Sequence, residues 1–393
     1  MNVVTLCQQL LRARTVLGNE GEAADVAEQA MRDLRYDEVW RDDLGNLVGT
    51  LHGGRPGSIM LDGHLDVVDP GDLAQWRADP FGGELLDGEV YGRGAVDMKG
   101  AIAGMVLGVA ALKERPAADR RTIHVSLSVA EETIEGPALL HLAEAVRPDA
   151  VIIGESTSGR VAIGQRGRAE ILVEVIGSAA HSAYPQQGVN SADGLVDLVR
   201  ELRALPVASD DLLGPGFMVL TEVWSIPRPS NSIIPYFAGA IYDRRLLPGE
   251  TPQSVLAPLQ AAARRLATPR CPEYRFSYSR AALVTYTGAT LGGEKFAPGW
   301  RLAADHPLVR AALNGLRASR LTTQASAYAA CTNGSATAGM LGIPTIGYGP
   351  GDDEMAHKVN ERISVGALER GVIGFGALAW AAATADLPAP VPA

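Results

Sequence analysis

The 393-residue sequence has little cysteine, no excess of positive charge and no long hydrophobic run. Its three cysteines, Cys7, Cys271 and Cys331, are too few and too scattered for a disulfide framework or a cysteine metal site. The net charge of −10 gives a surface that repels phosphate, so nucleic acid is not an expected partner. The apolar runs at 101–112 and 371–385 are shorter than the roughly 20 residues that span a bilayer, and no secretory signal is evident. These absences predict a cytoplasmic protein with no membrane contact.

What is present is the composition of a globular chain, because 47% of the residues are hydrophobic and 20% are charged. The length predicts two or three domains. Short apolar runs bounded by Gly, Asp and Pro, at 46–51, 58–61 and 122–130, read as buried strands. A helical run at 100–113 lies between them, and this alternation favours an α/β architecture.

Residues 169–281 have a different pattern. The run 169–176 alternates polar and apolar residues as a half-exposed strand does, and the order of the following runs is βαββαβ. That order predicts a self-contained ferredoxin-like α+β unit. Because buried runs resume on both sides of it, we predict a domain inserted into a discontinuous catalytic domain of residues 1–168 and 282–393.

Five separate segments place metal-type ligands at strand ends or turns, and they contain His64 and Asp66, Asp97, Glu131 and Glu132, Glu155, and His357. Each segment is weak evidence alone, because His64 could be a satisfied core histidine and Glu131–Glu132 could be solvated charge. Together, two histidines and several carboxylates form the ligand set that Zn, Mn or Co takes in hydrolytic sites.

A pair of such ions would explain the adjacent acids. A carboxylate can bridge two divalent cations, which polarise a carbonyl and lower the pKa of a shared water. Adjacent side chains point in different directions, so one of Glu131 and Glu132 can bind metal while the other handles the proton of that water.

The segment Gly92–Asp97 imitates a dinucleotide-binding fingerprint. Asp97 stands where the fingerprint has a third Gly or Ala, and its carboxylate would repel a pyrophosphate. An oxidoreductase is therefore disfavoured.

The ordered motifs GHLDVV (63–68), YGRGAVDMKG (91–100), AEE (130–132), GES (154–156) and AHKVNE (356–361) resemble those of the co-catalytic zinc metallopeptidases. That family includes acetylornithine deacetylase, succinyl-diaminopimelate desuccinylase and glutamate carboxypeptidase. The motifs GQRGRAE (164–170) and YDRRLLPGE (242–250) look closest to its YgeY-like hydrolase branch. The resemblance implies a catalytic domain with a central mixed sheet, interrupted by an inserted lid that also forms a homodimer.

The resemblance also implies the roles of the metal-type residues. Asp97 would bridge two divalent ions, Zn by family habit with Co or Mn as alternatives. His64 and Glu155 would complete one metal site, and Glu132 and His357 the other. Asp66 would orient the imidazole of His64, and Glu131 would be the general base.

Further residues carried over from the family concern the substrate. His181, in the motif AHSAYP (180–185), would reach the partner subunit's site and stabilise the oxyanion. Arg245 would bind a substrate carboxylate, with Arg244 as the second choice. Asn231 would contact the substrate from its turn, and the backbone around Asn333 and Gly334 would lie beside the same carboxylate.

These roles predict a metal-dependent hydrolase that cleaves the amide bond of a small N-acyl amino acid. The alternatives are a metallo-carboxypeptidase or dipeptidase that acts on short peptides, and a catalytically silent member of the family. A silent member would not need Glu131, which favours an enzyme.

Overall fold

The computed structural model describes residues 1–16, 18–268 and 271–387, and within these it contains eight α-helices and 21 strands. The helices are α1 (Val3–Arg12), α2 (Gly21–Asp33), α3 (Lys99–Ala110), α4 (Pro137–Val146), α5 (Ser191–Arg203), α6 (Pro252–Arg265), α7 (Pro307–Ala318) and α8 (Val365–Thr384). The first eleven strands are β1 (Glu38–Arg41), β2 (Leu47–Leu51), β3 (Ser58–His64), β4 (Leu85–Leu86), β5 (Glu89–Tyr91), β6 (Thr122–Ser128), β7 (Ala150–Ile153), β8 (Val161–Gln165), β9 (Gly167–Ile176), β10 (Ser209–Asp210) and β11 (Gly214–Pro215). The others are β12 (Phe217–Ile226), β13 (Phe237–Leu246), β14 (Glu273–Tyr278), β15 (Arg280–Val284), β16 (Thr290–Glu294), β17 (Phe296–Ala297), β18 (Trp300–Arg301), β19 (Ala325–Tyr328), β20 (Thr345–Gly347) and β21 (Arg362–Ser364).

The chain divides into two compact units. The first comprises Met1–Gln165, Ala282–Gly293 and Trp300–Ala393, and the second comprises Arg166–Ala281 and Glu294–Gly299. The short segment Glu294–Gly299 belongs to the second unit because β17 pairs with β9 there, whereas sequence analysis assigned it to the catalytic domain.

The first unit is built on a nine-stranded mixed sheet with strand order β1-β2-β6-β3-β7-β20-β8-β18, and β19 also pairs with β8. The central strand β3 is buried along its whole length, as expected for a strand covered on both faces. On one face, Met60 packs in a cluster with Leu139 and Leu142 of α4. On the other, a Cβ added to Gly63 would lie 2.7 Å from the end of Met105 of α3. The predicted α/β architecture with a central mixed sheet is confirmed.

The helix α8 is long and apolar enough to cross a membrane, and half of its apolar window is buried inside the protein. Sequence analysis expected a shorter apolar run, but the helix begins at Val365 because the Ser364 side chain accepts a hydrogen bond from the Ala367 amide. Phe375 is fully buried and its ring centroid lies 5.2 Å from that of Tyr348. The packing of α8 against α3 and α7 accounts for its apolar character.

The second unit contains the elements β9, α5, β12, β13, α6 and β14 in the βαββαβ order that the sequence predicts. Its strands are antiparallel in the order β12-β13-β9-β14. The exposure of β9 alternates along all ten residues. One face of the sheet packs against α5 and α6, through residues such as Val173, Leu198, Tyr242 and Leu259. The function of this unit as a lid and dimerisation domain stays a prediction.

Candidate metal centre

Three parallel strands of the first unit end at the same edge of the sheet, and each end carries a predicted site residue. His64 is the last residue of β3, which pairs in parallel with both β6 and β7. The chain leaves β6 through Ala130 into Glu131 and Glu132, and it leaves β7 through one residue into Glu155. Because the carboxyl ends of parallel strands form crevices in such sheets, this edge is where a site is expected.

Asp97 and His357 are brought to this edge by a small three-stranded sheet. Its strands β5 and β21 are antiparallel, with Arg362 opposite Tyr91. The segment that follows β5 therefore runs beside the segment that precedes β21. This pairing places Asp97 next to His357 although the two residues are far apart in the sequence.

Asp97 lies between the two histidines and offers one oxygen to each. Its Oδ1 is 2.9 Å from Nε2 of His64, and its Oδ2 is 3.1 Å from Nε2 of His357. Glu155 Oε1 lies 3.2 Å from the same His64 nitrogen, and Glu132 Oε2 lies 3.1 Å from the same His357 nitrogen. The five predicted metal ligands thus form two groups that share the Asp97 carboxylate.

Asp66 holds the backbone on which these groups depend. Its carbonyl oxygen lies 2.9 Å from Nδ1 of His64, and its side-chain Oδ1 lies 3.4 Å from the same atom. Its carboxylate also accepts the amides of Glu131 at 3.1 Å and Glu132 at 2.9 Å. Because Nδ1 is engaged in this way, Nε2 is the His64 nitrogen that faces Asp97 and Glu155.

Comparison with known proteins gives this arrangement its context. The family model described as "Peptidase family M20/M25/M40" matches residues 60–381, which is most of the chain. The chain belongs to this family. Membership makes it a metallohydrolase that acts on amide or peptide bonds.

Individual relatives agree with the family assignment of this M20 member. It is 30% identical to the uncharacterized protein YgeY of Escherichia coli over 342 residues, covering 85% of this chain and 83% of that protein. It is 34% identical to succinyl-diaminopimelate desuccinylase of Methylocella silvestris over 284 residues, covering 67% and 72% of the two chains. The solved structure of YXEP from Bacillus subtilis, a dinuclear metal-binding peptidase of the M20 family, superimposes with a TM-score of 0.72. That match covers 96% of both chains at 15% identity.

The buried acids of the M20 site repel one another in the absence of cations. Burial and the negative charge of Asp97 raise the pKa of Glu155 to about 7. Burial also raises the pKa of Glu132, and it raises the pKa of Glu131 well above its ordinary value. Such pKa values mean that positive charge placed among these side chains would stabilise them.

The histidines supply part of that charge by holding protons. Hydrogen bonds to Asp97 and Glu132 raise the pKa of His357 to about 10. Burial lowers the pKa of His64, but the carboxylates of Glu155, Asp66 and Asp97 outweigh it and raise this pKa well above its ordinary value. Conversely, hydrogen bonds from the two histidines hold the pKa of Asp97 below its ordinary range despite its burial.

The donor atoms fit two divalent cations of the zinc type. Imidazole nitrogens and carboxylate oxygens are the ligands that Zn and similar ions take in proteins, and Asp97 is placed to bridge. The ligand atoms of His64, Asp97 and Glu132 all lie within 4.8 Å of one another, as do those of His64, Glu131 and Glu155. Glu131 is therefore close enough to bind a metal ion at the same centre, although the family resemblance makes it the general base.

Sequence analysis missed four buried residues around this centre. Glu20 accepts the amide of Ala130 at 3.2 Å, immediately before the Glu131–Glu132 pair. Asp62, whose pKa burial raises to about 6, lies on β3 two residues before His64. Arg93 is buried within residues 92–98, the Asp97 loop, and Glu361 is buried beside that loop. Glu361 lies within the quoted AHKVNE motif, so its position was visible, but an acidic residue in a motif does not reveal its burial.

Three of the predicted substrate-binding or catalytic residues lie on the second unit: His181, Asn231 and Arg245. His181 and Asn231 share one region, because the Ser182 amide donates to the Ser232 carbonyl at 2.8 Å. Asn231 and Ser232 both have left-handed backbone conformations, with φ values of 44° and 63°. The Ala183 amide donates to Nδ1 of His181 at 3.0 Å, so the neutral ring carries its proton on Nε2.

Arg245 lies on the face of β13 that is opposite to the helices. Its Nε donates to Asp243 Oδ1 at 2.9 Å, and Arg168 on the neighbouring strand donates to Asp243 Oδ2 at 2.9 Å. Arg244 lies on the other face and donates to Glu250 at 2.6 Å. This difference in orientation favours Arg245 over Arg244 as a group that is available to a substrate.

Asn333 and Gly334 lie in the first unit, just before a π-helical segment, Ser335–Met340. The Asn333 amide group is used inside the protein: its oxygen accepts from Gly136, and its nitrogen donates to Asp62 and Ser128. The Gly334 amide donates to the Thr332 hydroxyl at 3.1 Å. The side chain of Asn333 therefore braces the strand ends, and any contact with substrate would come from the backbone.

Proposed function

We propose that this M20 member hydrolyses the amide bond of a small N-acyl amino acid with the help of two divalent metal ions, zinc in the first place and cobalt or manganese as alternatives. His64 and Glu155 would hold one ion, Glu132 and His357 the other, and Asp97 would bridge them. The observation that carries the proposal is that each Asp97 oxygen faces a different histidine, at 2.9 and 3.1 Å, with a further glutamate beside each histidine.

Glu131 is the proton carrier of the proposed reaction. When bound, the two ions would polarise the scissile carbonyl and lower the pKa of the attacking water. Glu131 is almost fully buried, which raises its pKa well above the ordinary value without metal, and the two cations would favour the ionised form that accepts a proton. Its carboxylate would take a proton from the attacking water and pass it to the leaving nitrogen.

The substrate carboxylate would bind to Arg245. The guanidinium is held from one side by Asp243, which leaves its two terminal nitrogens as a fork for a carboxylate. Asn231 would contact the same substrate from the turn next to His181. The backbone of Asn333 and Gly334 would complete this part of the site.

His181 would donate from Nε2 to the oxyanion that develops on the scissile carbonyl. We propose that it does so in the site of a partner subunit, in a homodimer formed through the second unit. The Ala183 amide donates to Nδ1, which supports this role because the proton of the neutral ring is then on Nε2, the nitrogen that would face the oxyanion. A cytoplasmic location is part of the same proposal.

Mixing two inactive variants tests the role of His181 in the partner's site. Co-expressed His181→Ala and Glu131→Ala subunits should regain activity, because in the mixed dimer one site keeps both intact groups. Random pairing makes about a quarter of all sites active. Each variant alone is expected to be inactive. If the co-expressed subunits form mixed dimers without any gain in activity, His181 does not act across the interface.

A hydrolysis screen tests the function itself. The metal-stripped protein would be supplied with Zn, Co or Mn and offered N-acetyl, N-succinyl and N-formyl amino acids, dipeptides, and the C-terminal amides of the same compounds. We expect metal-dependent turnover of an N-acyl amino acid and a large loss when its carboxylate is amidated. Turnover that persists after chelation would rule out the metal mechanism.

The second candidate function is that of a carboxypeptidase or dipeptidase. It is supported by the peptidase YXEP, whose fold this chain shares. Preference for dipeptides over every N-acyl amino acid in the same screen would select it. The desuccinylase relative, by contrast, favours the deacylase, because a desuccinylase removes an acyl group.

A further inference from the structure

The Asp97 loop wraps around a buried carboxylate that belongs to the segment carrying His357. This carboxylate is Glu361, which has no exposed surface. Its Oε1 accepts the amides of Val96 at 2.8 Å and Asp97 at 3.1 Å. Its Oε2 accepts the amide of Gly94 at 3.1 Å and Nη1 of Arg93 at 2.6 Å. Both oxygens therefore accept two hydrogen bonds, and the position of the Asp97 backbone is defined by Glu361.

Arg93 makes the reciprocal contacts from the Asp97 loop to the His357 segment. The side chain is 2% exposed. Its Nη2 lies 3.3 Å from the carbonyl oxygen of His357 and 3.4 Å from that of Asp69. The guanidinium also lies 5.5 Å from the centroid of the Trp76 ring, which fixes its plane.

The two segments are thus joined in both directions. Arg93 precedes Asp97 by four residues, and Glu361 follows His357 by four residues. His357 has a φ of 60°, a left-handed conformation that is uncommon for non-glycine residues. The Gly92 amide adds a third connection, since it donates to the Glu361 carbonyl at 3.0 Å.

A buried ion pair is a poor device for stability alone. Removing two charges from water is costly, and a well-packed apolar pair is often as stabilising. An ion pair does provide fixed geometry when both carboxylate oxygens accept two hydrogen bonds, because each donor then has one position and one direction. The hydrogen-bond donors fixed here are the amides of the Asp97 loop and the Arg93 guanidinium. Together they set the 3.1 Å distance between Asp97 Oδ2 and His357 Nε2.

We infer that Arg93 and Glu361 form a clamp that sets the spacing between Asp97 and His357. The clamp is required for tight binding of the metal ion that Glu132 and His357 would hold. Both are positioning residues, since neither side chain contacts the ligand atoms of the centre. The inference rests on the proposed function for the identity of the ions, but its consequence is a change in metal affinity that needs no turnover.

Glutamine at position 361 isolates the effect of the carboxylate. Gln has one acceptor oxygen in place of two, and its NH₂ group would face amide donors. In the Glu361→Gln variant we expect the affinity for one of two Co²⁺ ions to fall about 10- to 100-fold, the range seen when residues that orient metal ligands are removed. Titration with Co²⁺, followed by its visible absorption spectrum, measures affinity, stoichiometry and coordination geometry together.

Arg93→Lys is the second variant, because lysine keeps the charge and loses the fork that reaches Glu361 and His357 at once. It should weaken the same ion by a smaller factor. The matched control is Arg362→Lys, since Arg362 of β21 forms a partly exposed ion pair with Glu89 of β5, the two strands that Glu361 and Arg93 adjoin. The control should bind two ions with the affinity of the unchanged protein.

The outcomes separate the clamp from a merely structural role. A structural role predicts that the folded fraction of each variant, checked by circular dichroism, binds Co²⁺ with unchanged affinity and spectrum. That result in either variant would overturn the inference, and so would an equal loss in the control. If Glu361→Gln does not fold, Arg93→Lys decides. If the protein without substitutions binds two ions but hydrolyses no compound in the screen, the proposed function is contradicted. The comparison of Co²⁺ affinities between the variants would still test the clamp.

Discussion

The Glu131→Gln variant should lose hydrolysis by a factor of at least about 10² to 10⁴, the usual contribution of a general acid–base group, while retaining two metal ions per chain. The amide has nearly the shape of the carboxyl group that it replaces, so packing around this buried side chain is preserved. It cannot accept the proton of the attacking water. The measurements are kcat and KM with the best substrate of the screen, and metal content after dialysis.

The metal content is the decisive part of this experiment. Glu131 lies close enough to His64 and Glu155 for their ligand atoms to share one ion, so the geometry alone would also allow Glu131 to be a ligand. A ligand predicts that the variant loses an ion, and a general base predicts that it keeps both. Retained turnover would exclude both roles.

Glu144→Gln is the matched control, because it removes the same charge from an exposed position on α4. It should leave turnover and metal content unchanged. A loss of activity in the control would show that total charge, and not the position of Glu131, governs the rate.

The sequence predicts the parts of the site that follow strand ends. The residues alone place His64 and Glu155 near strand ends, and their grouping in one metal site came from the family resemblance; the structure makes β3 and β7 parallel neighbours, whose carboxyl ends meet at one edge. The second unit was likewise predictable, since the polar–apolar alternation of 169–176 becomes the alternating exposure of β9.

The partnership of Asp97 and His357 was predictable only from the family resemblance. It depends on the pairing of β5 with β21, and these strands of three residues each are too short to give a periodic signal. Glu361 and Arg93 were missed for a related reason. Their burial results from that pairing, and a charged residue in a sequence is expected to be exposed unless its partner is known.

The direction of the Asn333 side chain was not predictable from the sequence. The family resemblance implies that the backbone around Asn333 lies beside a substrate carboxylate, and the structure shows that the side-chain amide is used by Gly136, Asp62 and Ser128. A buried amide that satisfies three partners braces the strand ends from below. Contact of this backbone with a substrate stays a prediction, and the direction of the side chain depends on hydrogen bonds between distant segments.

The Asp97→Asn variant should lose tight binding of at least one metal ion and reduce hydrolysis at least as strongly as Glu131→Gln. Asparagine offers one acceptor oxygen, so it can face only one of the two histidines as a ligand, and its NH₂ group would face the other. The backbone amide of residue 97 would still donate to Glu361, so the loop should stay folded. Metal content after dialysis and Co²⁺ titration measure the loss.

The control for this variant is Asp87→Asn, which removes the same charge from an exposed residue paired with Arg77. Asparagine also tolerates the left-handed conformation of that position, where φ is 52°. The control should bind two ions. An Asp97→Asn protein that binds two ions with unchanged affinity would show that Asp97 does not bridge them.

Proton release gives a second and independent measure of the same centre. Without metal, the raised pKa values of His64 and His357 mean that both rings are protonated at neutral pH. Each ring must lose its proton to bind a metal ion, so the histidines should contribute about two protons per chain on loading, in addition to protons from Glu155, whose pKa is about 7. Metal affinity should therefore fall as the pH decreases below the pKa of about 10 of His357.

In Asp97→Asn the histidines lose the carboxylate that raises their pKa values, so fewer protons should be released at neutral pH. Calorimetry in buffers of different ionisation enthalpy counts them, and an unchanged number would contradict the assignment of Asp97 as the group that both histidines share.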